Sequence, residues 1–184
     1  MTTTISSTDN LACIENEMHW LSSRIDNVLN KETPNFFQPP ALMKGSGYES
    51  LITYFGLNET DRVLLNLAFA SLFSPQTLRG FSEVKDDFAR KSKMGIVLSK
   101  DAEFLRPTVR TALFLLSGND PEKLSGYFSH FTPDSTLFAS GLIWTKPMDS
   151  FDPFVDHVIR FNEKFMSHML PKFFFEQKAE ISNK

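Results

Sequence analysis

The sequence predicts a mainly α-helical α+β fold with a small β-ribbon, arranged as a winged-helix-like domain preceded by an amphipathic N-terminal helix. Apolar residues recur at intervals of three and four through most of the chain, which is typical of helices packed on a core. Two segments near the C-terminal end, residues 142–145 and 155–161, instead show the apolar runs and the alternation of strands. Several helices followed by a two-stranded ribbon and a last helix indicate a winged-helix-like plan.

The N-terminal helix is predicted over residues 9–30, after a disordered start at residues 1–8. One apolar stripe with helical spacing supports it, formed by Leu11, Ile14, Met18, Leu21, Ile25 and Val28. The stripe has two interpretations. Either the helix lies on its own domain, or it makes a coiled-coil-like contact with another chain and so forms a homo-oligomer. In the second case Leu21 and Ile25 are partner-binding candidates.

A linker is predicted at residues 31–46, because three prolines and a glycine interrupt any regular pattern there. The winged-helix-like domain is then predicted to cover residues 47–171. Residues 172–184 are predicted to form a tail or a linker.

The first helices of this domain are bounded by local signals. The short helix that begins near residue 47 should end at Gly56, because glycine is common at the position that follows a helix C-terminus. Asn58, with Asp61 three residues on, resembles a capping arrangement for the next helix. That helix is apolar around most of its circumference, so Leu67 and Phe69 are predicted to be buried.

A second strongly apolar helix is predicted over residues 109–116, beginning after Thr108 and closed by Gly118. Leu113 and Leu116 should be buried in it, because this helix also lacks a wide polar face.

The following helix should begin at Asp120, because an acidic cap and a proline at the first position favour a helix start. Its buried face is predicted to comprise Leu124, Tyr127, Phe128 and Phe131.

The two late strands, residues 142–145 and 155–161, are predicted to pair antiparallel, with the ring of Trp144 packed on the domain. Residues 95–98 are also strand-like. Asn162 is expected to cap the last helix.

No catalytic or cofactor-binding apparatus is visible in the sequence. None of the eight glycines is followed by lysine, so the phosphate-binding loop of P-loop ATPases is absent, and there is no G-x-G-x-x-G motif. The four histidines lack paired ligand spacing, and Cys13 stands alone. We therefore expect no enzyme activity, no cofactor and no metal. The lone cysteine and the lack of a signal sequence or membrane span favour the cytoplasm.

Nucleic-acid binding is an alternative that the sequence does not favour. Residues 79–110 hold eight basic and five acidic residues, a local charge of +3, although the whole chain carries −3. The helix best placed to read DNA is mostly apolar after its first turn, which is typical of a core helix.

The segment Thr-Ala-Leu-Phe-Leu-Leu-Ser-Gly-Asn-Asp at residues 111–120 resembles the N-terminal region of AAA+ ATPases associated with phage-tail-like contractile injection systems. Phe-Gly-Leu at 55–57 and the helix at 61–70 are similar to the same region, in the same order. The resemblance implies a non-catalytic winged-helix-like module ahead of an ATPase domain. Arg110 departs from the family pattern, which has an acidic residue there.

The expected function is therefore a protein-interaction module, the N-terminal or accessory domain of an AAA+ ATPase in a contractile injection or secretion apparatus. Its partner would be the ATPase domain or a secretion-system component. The chain ends where the family continues into its P-loop domain, so it is either an excised piece or a stand-alone relative. The alternatives are an interaction domain unrelated to an ATPase and a winged-helix DNA-binding regulator.

The tail supplies further partner-binding candidates, Phe173, Phe174 and Phe175. Three consecutive rings cannot all face one surface in helix or strand geometry. At least one of them should therefore be available to another chain.

Overall fold

The structure is a computed structural model that describes residues 7–31, 38–84, 92, 94–98, 105–118 and 120–169. These residues form a mainly helical fold with two small antiparallel sheets, so the predicted α+β class is confirmed. The winged-helix-like plan stays a prediction.

The helices and strands follow one another in short succession. The helices are α1 (Ser7–Lys31), α2 (Gly47–Phe55), α3 (Glu59–Phe73), α4 (Arg79–Ser82), α5 (Val109–Ser117), α6 (Pro121–Tyr127), α7 (Thr136–Ala139) and α8 (Met166–Met169). The strands are β1 (Val97–Leu98), β2 (Leu105–Arg106), β3 (Ile143–Lys146) and β4 (Val158–Phe161). Short 3₁₀ turns occupy Pro75–Leu78, Phe128–Phe131, Phe154–Asp156 and Glu163–Phe165.

Helix α1 is part of the domain core. It contacts α2, α3 and α4, and the apolar stripe predicted from its sequence faces them. Leu21 and Ile25 have no exposed surface. The interpretation of the helix as lying on its own domain therefore holds, and these two side chains are not available to a partner.

The predicted helix boundaries are confirmed by their caps. Gly56 ends α2 in the left-handed conformation, with φ of 62°. At the start of α3, Asn58 accepts from the N–H of Asp61 at 3.0 Å, and Asp61 accepts from the N–H of Asn58 at 3.1 Å. Thr108 and Thr111 make the same reciprocal pair at the start of α5. Such pairs satisfy N–H groups that have no partner within the helix.

The two strongly apolar helices, α3 and α5, form the centre of the core. Leu67, Phe69 and Leu116 have no exposed surface, and Leu113 retains only 3%. All four were predicted to be buried, and this prediction is confirmed.

A buried carboxylate, that of Glu17, links α1 to α2 and α3. It accepts from the Tyr48 hydroxyl at 3.1 Å and from the Asn66 amide at 2.7 Å. Arg62 donates to its other oxygen and to the carbonyl of Pro40, the latter at 2.9 Å. Burial, and then the charge of Glu17, raise the pKa of Tyr48 well above its ordinary value. The three helices therefore share one polar network inside the apolar core.

The Trp20 ring extends this network. The guanidinium carbons of Arg24 and Arg62 lie 5.9 Å and 5.6 Å from its centroid, within cation–π range. Arg24 also donates to Glu59 at 3.1 Å, which ties the middle of α1 to the first turn of α3.

The late strands pair antiparallel as predicted, but β4 begins only at Val158 because the preceding residues form a 3₁₀ turn. The prediction that Trp144 packs its ring on the domain is wrong. Ile143 and Phe161 pair on the buried face, so alternation turns Trp144 outward, and it is 46% exposed. A second antiparallel pair is formed by β1 and β2. Only β1 was predicted from the sequence.

Helix α6 begins at Pro121 with Asp120 as its cap, as predicted, but most of its predicted buried face is not buried. Asp120 accepts from the backbone N–H of Glu122 and Lys123, and the bond from Lys123 is the main cause that lowers the Asp120 pKa. Phe131 is buried, whereas Phe128 is 37% exposed and no residue within α6 is fully buried. The helix makes its main contacts with α5 and with the 3₁₀ turn that follows it, and most of its side chains stay exposed.

The last helix begins later than predicted, at Met166, because a 3₁₀ turn precedes it. Asn162 accepts from the N–H of Lys164 and so caps a 3₁₀ turn, which continues into α8. Met169 of α8 is buried, and α8 contacts α2.

Candidate functional site

The described residues expose seven large hydrophobic side chains, and four of these lie on the hairpin formed by β3 and β4. The four are Trp144, Met148, Phe151 and Phe154, and Phe151 is the most exposed of the seven, at 92%. We call residues 147–157, which join β3 to β4, the hairpin loop. Clustered exposed apolar side chains mark interaction sites, whereas single ones are ordinary. The hairpin loop is therefore the candidate site.

Carboxylate hydrogen bonds shape the tip of the hairpin loop. Asp152 accepts from the backbone N–H groups of Met148 at 2.8 Å and Asp149 at 2.7 Å. Asp149 accepts from the Ser150 hydroxyl at 3.2 Å and from the N–H of Phe151 at 3.4 Å. Aspartate bonds of this kind stabilise turns. Phe151 is therefore presented by a turn that is already hydrogen-bonded.

Arg110, in the first turn of α5, ties the base of the hairpin loop to the domain. Its guanidinium donates to both carboxylate oxygens of Asp156, at 2.6 Å and 3.0 Å. These bonds raise the pKa of Arg110 against the opposing effect of partial burial. The N–H of Val109 donates to the His157 carbonyl at 3.0 Å, and the His157 ring lies 3.3 Å from the carbonyl of Asp152. The hairpin loop and the start of α5 thus form one unit.

An apolar groove of about 370 Å³ adjoins the hairpin loop. Its lining includes Phe114 of α5, Leu124 of α6, Phe128 and Val155, and Arg110 contributes the charged group. Val155 belongs to the hairpin loop, so the exposed apolar surface continues from the loop into the groove.

The hairpin loop is acidic as well as apolar. Residues 147–157 contain Asp149, Asp152 and Asp156 but neither lysine nor arginine. Arg110 neutralises Asp156, which leaves two carboxylates at the tip. Such a surface repels phosphate groups and attracts cations. The site therefore suits a partner that offers apolar and positively charged groups.

The part of the chain that the structure describes contains no group of three His, Cys, Asp or Glu side chains that could hold a metal ion. His130 lies 3.3 Å from Asp61, whose carboxylate also caps α3, so this contact joins two elements of the fold. No described helix has both the length and the apolar character that crossing a membrane requires.

Two of the residues predicted to bind a partner are not at this site. Leu21 and Ile25 lie in the core. Phe173, Phe174 and Phe175 lie outside the described residues, and their role stays a prediction.

The hairpin loop was not predicted from the sequence, because its prolines and aspartates indicate only a connection between two strands. One signal could have found it. Phe151 stands between Ser150 and Asp152, inside a run bounded by Pro147 and Pro153. A large apolar side chain among turn-forming residues has no core to enter, and such a residue is a candidate for recognition.

No family model matches the chain, and no curated protein or solved structure matches it either. Its function is therefore argued from the site.

Proposed function

We propose that the chain is a non-catalytic protein-interaction module and that the hairpin loop is its docking element. The observation that carries this proposal is Phe151, which is 92% exposed at the tip of a hydrogen-bonded turn. Burial of an exposed aromatic ring by a partner is favourable, because it removes apolar surface from water.

The magnitude of this gain is useful for recognition. Burying Phe151 in a partner pocket would contribute roughly 1.5–3 kcal/mol. The hairpin loop is already held by its own hydrogen bonds, so little ordering cost is subtracted on binding. Trp144, Met148 and Phe154 supply further exposed apolar area on the same hairpin. One deeply inserted aromatic anchor with weaker contacts around it is typical of protein–protein interfaces.

Charge favours a protein partner over DNA. In a DNA-binding regulator, a loop that lies against the phosphate backbone needs lysine or arginine to neutralise it. The hairpin loop has three aspartates and no such cation. A protein pocket with an apolar floor and a basic rim complements both properties of the loop.

We place this module at the N-terminus of an AAA+ ATPase, or beside one as an accessory chain, in a contractile injection or secretion apparatus. The support is the resemblance of residues 111–120, 55–57 and 61–70 to such proteins. In that setting the module supplies docking, and the ATPase domain supplies hydrolysis. The cytoplasm is the proposed compartment, since the single cysteine, Cys13, is a free thiol. The alternative is an interaction domain with no ATPase connection.

A photo-crosslinking amino acid at position 151, introduced in the cells that make the protein, tests this proposal. We expect a covalent adduct with one defined protein. The same amino acid at Tyr54, which is 82% exposed on α2, is the matched control and should not give that adduct. With both proteins purified, Phe151→Ser should weaken their binding at least about tenfold, as loss of an anchor residue does. The thermal unfolding midpoint should not change.

Two results would contradict parts of the proposal separately. An adduct from position 54 but none from position 151 would show that the hairpin loop is not the docking element. A specific partner at position 151 that is neither a P-loop ATPase nor a component of a contractile injection or secretion apparatus would leave the interaction module intact and refute the AAA+ placement.

A further inference from the structure

Two arginines face each other on the sheet, at residues that do not belong to the hairpin loop. The N–H of Ile159 donates to the carbonyl of Pro107 at 2.9 Å, which continues the sheet beyond β4 on the side away from β3. The same antiparallel register places Arg106 opposite Arg160. On the other side of β4, Arg160 is paired with Trp144 of β3. We call these three residues the Arg–Trp row.

No carboxylate of the described residues neutralises this pair of charges. Neither guanidinium lies within ion-pair distance of a carboxylate among the described residues. Burial, and then the positive charge of Arg106, lower the pKa of Arg160, against a smaller opposing effect of Glu163. The Arg160 Nε is buried and has no hydrogen-bond partner in the described structure. Like charges directly opposite each other in a sheet destabilise it. Packing among the described residues therefore does not explain why the two arginines are paired.

The outer face of the hairpin extends the row. Trp144 is 46% exposed, and Lys146, two residues further along β3, lies on the same face and is exposed. The surface thus offers two guanidinium groups, an ammonium group and an indole ring. Arginine and tryptophan are enriched among the residues that dominate protein–protein binding.

We propose that the Arg–Trp row is a second binding surface, which takes an acidic segment of a protein. Carboxylates of that segment pair with Arg106 and Arg160, and an apolar side chain beside them packs on Trp144. Arginine pairs with carboxylates through two parallel hydrogen bonds, so two carboxylates would satisfy the pair. Nucleic acid fits less well, because a long polyanion would also meet the aspartates of the hairpin loop on the same hairpin. The inference shares Trp144 with the exposed apolar surface of the hairpin. Its charged side chains, Arg106 and Arg160, lie outside the hairpin loop, so it stands without the proposed docking element.

A peptide titration tests the inference. The probe is a synthetic blocked peptide, Glu-Glu-Leu-Glu-Glu, and its lysine counterpart, Lys-Lys-Leu-Lys-Lys, is the charge-reversed control. Binding is followed by calorimetry and by Trp fluorescence, and Trp144→Phe should abolish the fluorescence response. We expect the acidic peptide to bind. The double variant Arg106→Gln/Arg160→Gln should weaken it at least about tenfold, as loss of charged pairs at an interface does.

Arg79→Gln is the matched control, because the Arg79 side chain is 76% exposed on α4, outside the sheet. It should leave peptide binding unchanged. The double variant should unfold at no lower temperature than the parent chain, because it removes a like-charge repulsion. A folded double variant therefore separates loss of binding from loss of structure.

Three results would overturn the inference. The first is no binding of the acidic peptide, or equal binding to the double variant. The second is tighter binding of a thymidine oligonucleotide that depends on the same arginines, which would assign the row to nucleic acid. The third is an equal loss of peptide binding on Phe151→Ser, which would merge the row with the hairpin loop into one site. Failure of Phe151→Ser to weaken binding of the partner crosslinked at position 151, by contrast, would leave the Arg–Trp row unaffected.

Discussion

Replacing Glu17 by alanine is expected to destabilise the domain by about 3–5 kcal/mol, because it leaves the buried Arg62 without its carboxylate. The side chain of Glu17 is 1% exposed and accepts from three donors, on Tyr48, Arg62 and Asn66. After the substitution, Arg62 keeps only the carbonyl of Pro40 as a hydrogen-bond acceptor among the described contacts. An uncompensated buried charge is among the costliest single defects in a core.

A double substitution separates the charge from the packing. Glu17→Leu/Arg62→Met removes both charges and fills the space with apolar groups, and buried ion pairs replaced in this way are often tolerated. We expect the double variant to be more stable than Glu17→Ala. We also expect the effects of Glu17→Leu and Arg62→Met to be non-additive by about 0.5–3 kcal/mol, since the residues are in contact.

Urea denaturation followed by circular dichroism gives these free energies, and a domain of this size should lose about 2–4 °C of melting temperature per kcal/mol. Glu15→Ala is the matched control, because Glu15 lies on the same helix but is exposed. It should change the free energy of unfolding by less than about 0.5 kcal/mol. If Glu17→Ala cost no more than Glu15→Ala, the buried network would not hold α1 to α3.

Three further substitutions test other parts of the fold. Gly95→Ala should destabilise by about 1–3 kcal/mol, since φ is +62° and the new Cβ would lie 2.6 Å from Cβ of Arg110 and 2.7 Å from Oγ1 of Thr108. Tyr48 has a raised pKa in the folded state, so its contribution to stability is complete below the unfolded-state pKa of about 10 and is lost as pH rises above it. Tyr48→Phe should therefore lessen the alkaline loss of stability, at a neutral-pH cost of about 1–3 kcal/mol in urea denaturation. Leu113→Ala should cost about 2–5 kcal/mol by the same measurement, because it leaves a cavity at the centre of the core.

Each of these substitutions has a control at an open position. A Cβ at Gly126 meets nothing within 4 Å, so Gly126→Ala should not destabilise. Tyr54→Phe and Leu72→Ala should cost far less at neutral pH than the substitutions of Tyr48 and Leu113, because both side chains are exposed. An effect of equal size at a position and its control would refute the packing argument for that position.

Local signals in the sequence predicted most of the helix boundaries. Asn58, Asp61 and Asp120 cap helices through bonds to N–H groups two or three residues away. Gly56 supplies a backbone conformation that other residues rarely adopt. Such signals are complete within a few residues, so they can be read without knowing the rest of the fold.

Features that depend on distant residues were not predictable in the same way. Glu17 looks like an ordinary surface residue of an amphipathic helix until the partners on α2 and α3 are known. The outward orientation of the Trp144 side chain depends on which side of the hairpin packs on the core. The alignment of Arg106 with Arg160 joins strands that are more than fifty positions apart in the sequence.

The connection between β4 and the start of α5 has a mechanical consequence. The bonds of Val109 to His157 and of Ile159 to Pro107 lie beside the paired bonds of Arg110 to Asp156. A load applied at Phe151 would reach the most buried part of the domain through these bonds in parallel rather than through a single flexible link. We therefore expect the hairpin to be rigid relative to the domain, so that a protein bound to the hairpin would move together with the domain.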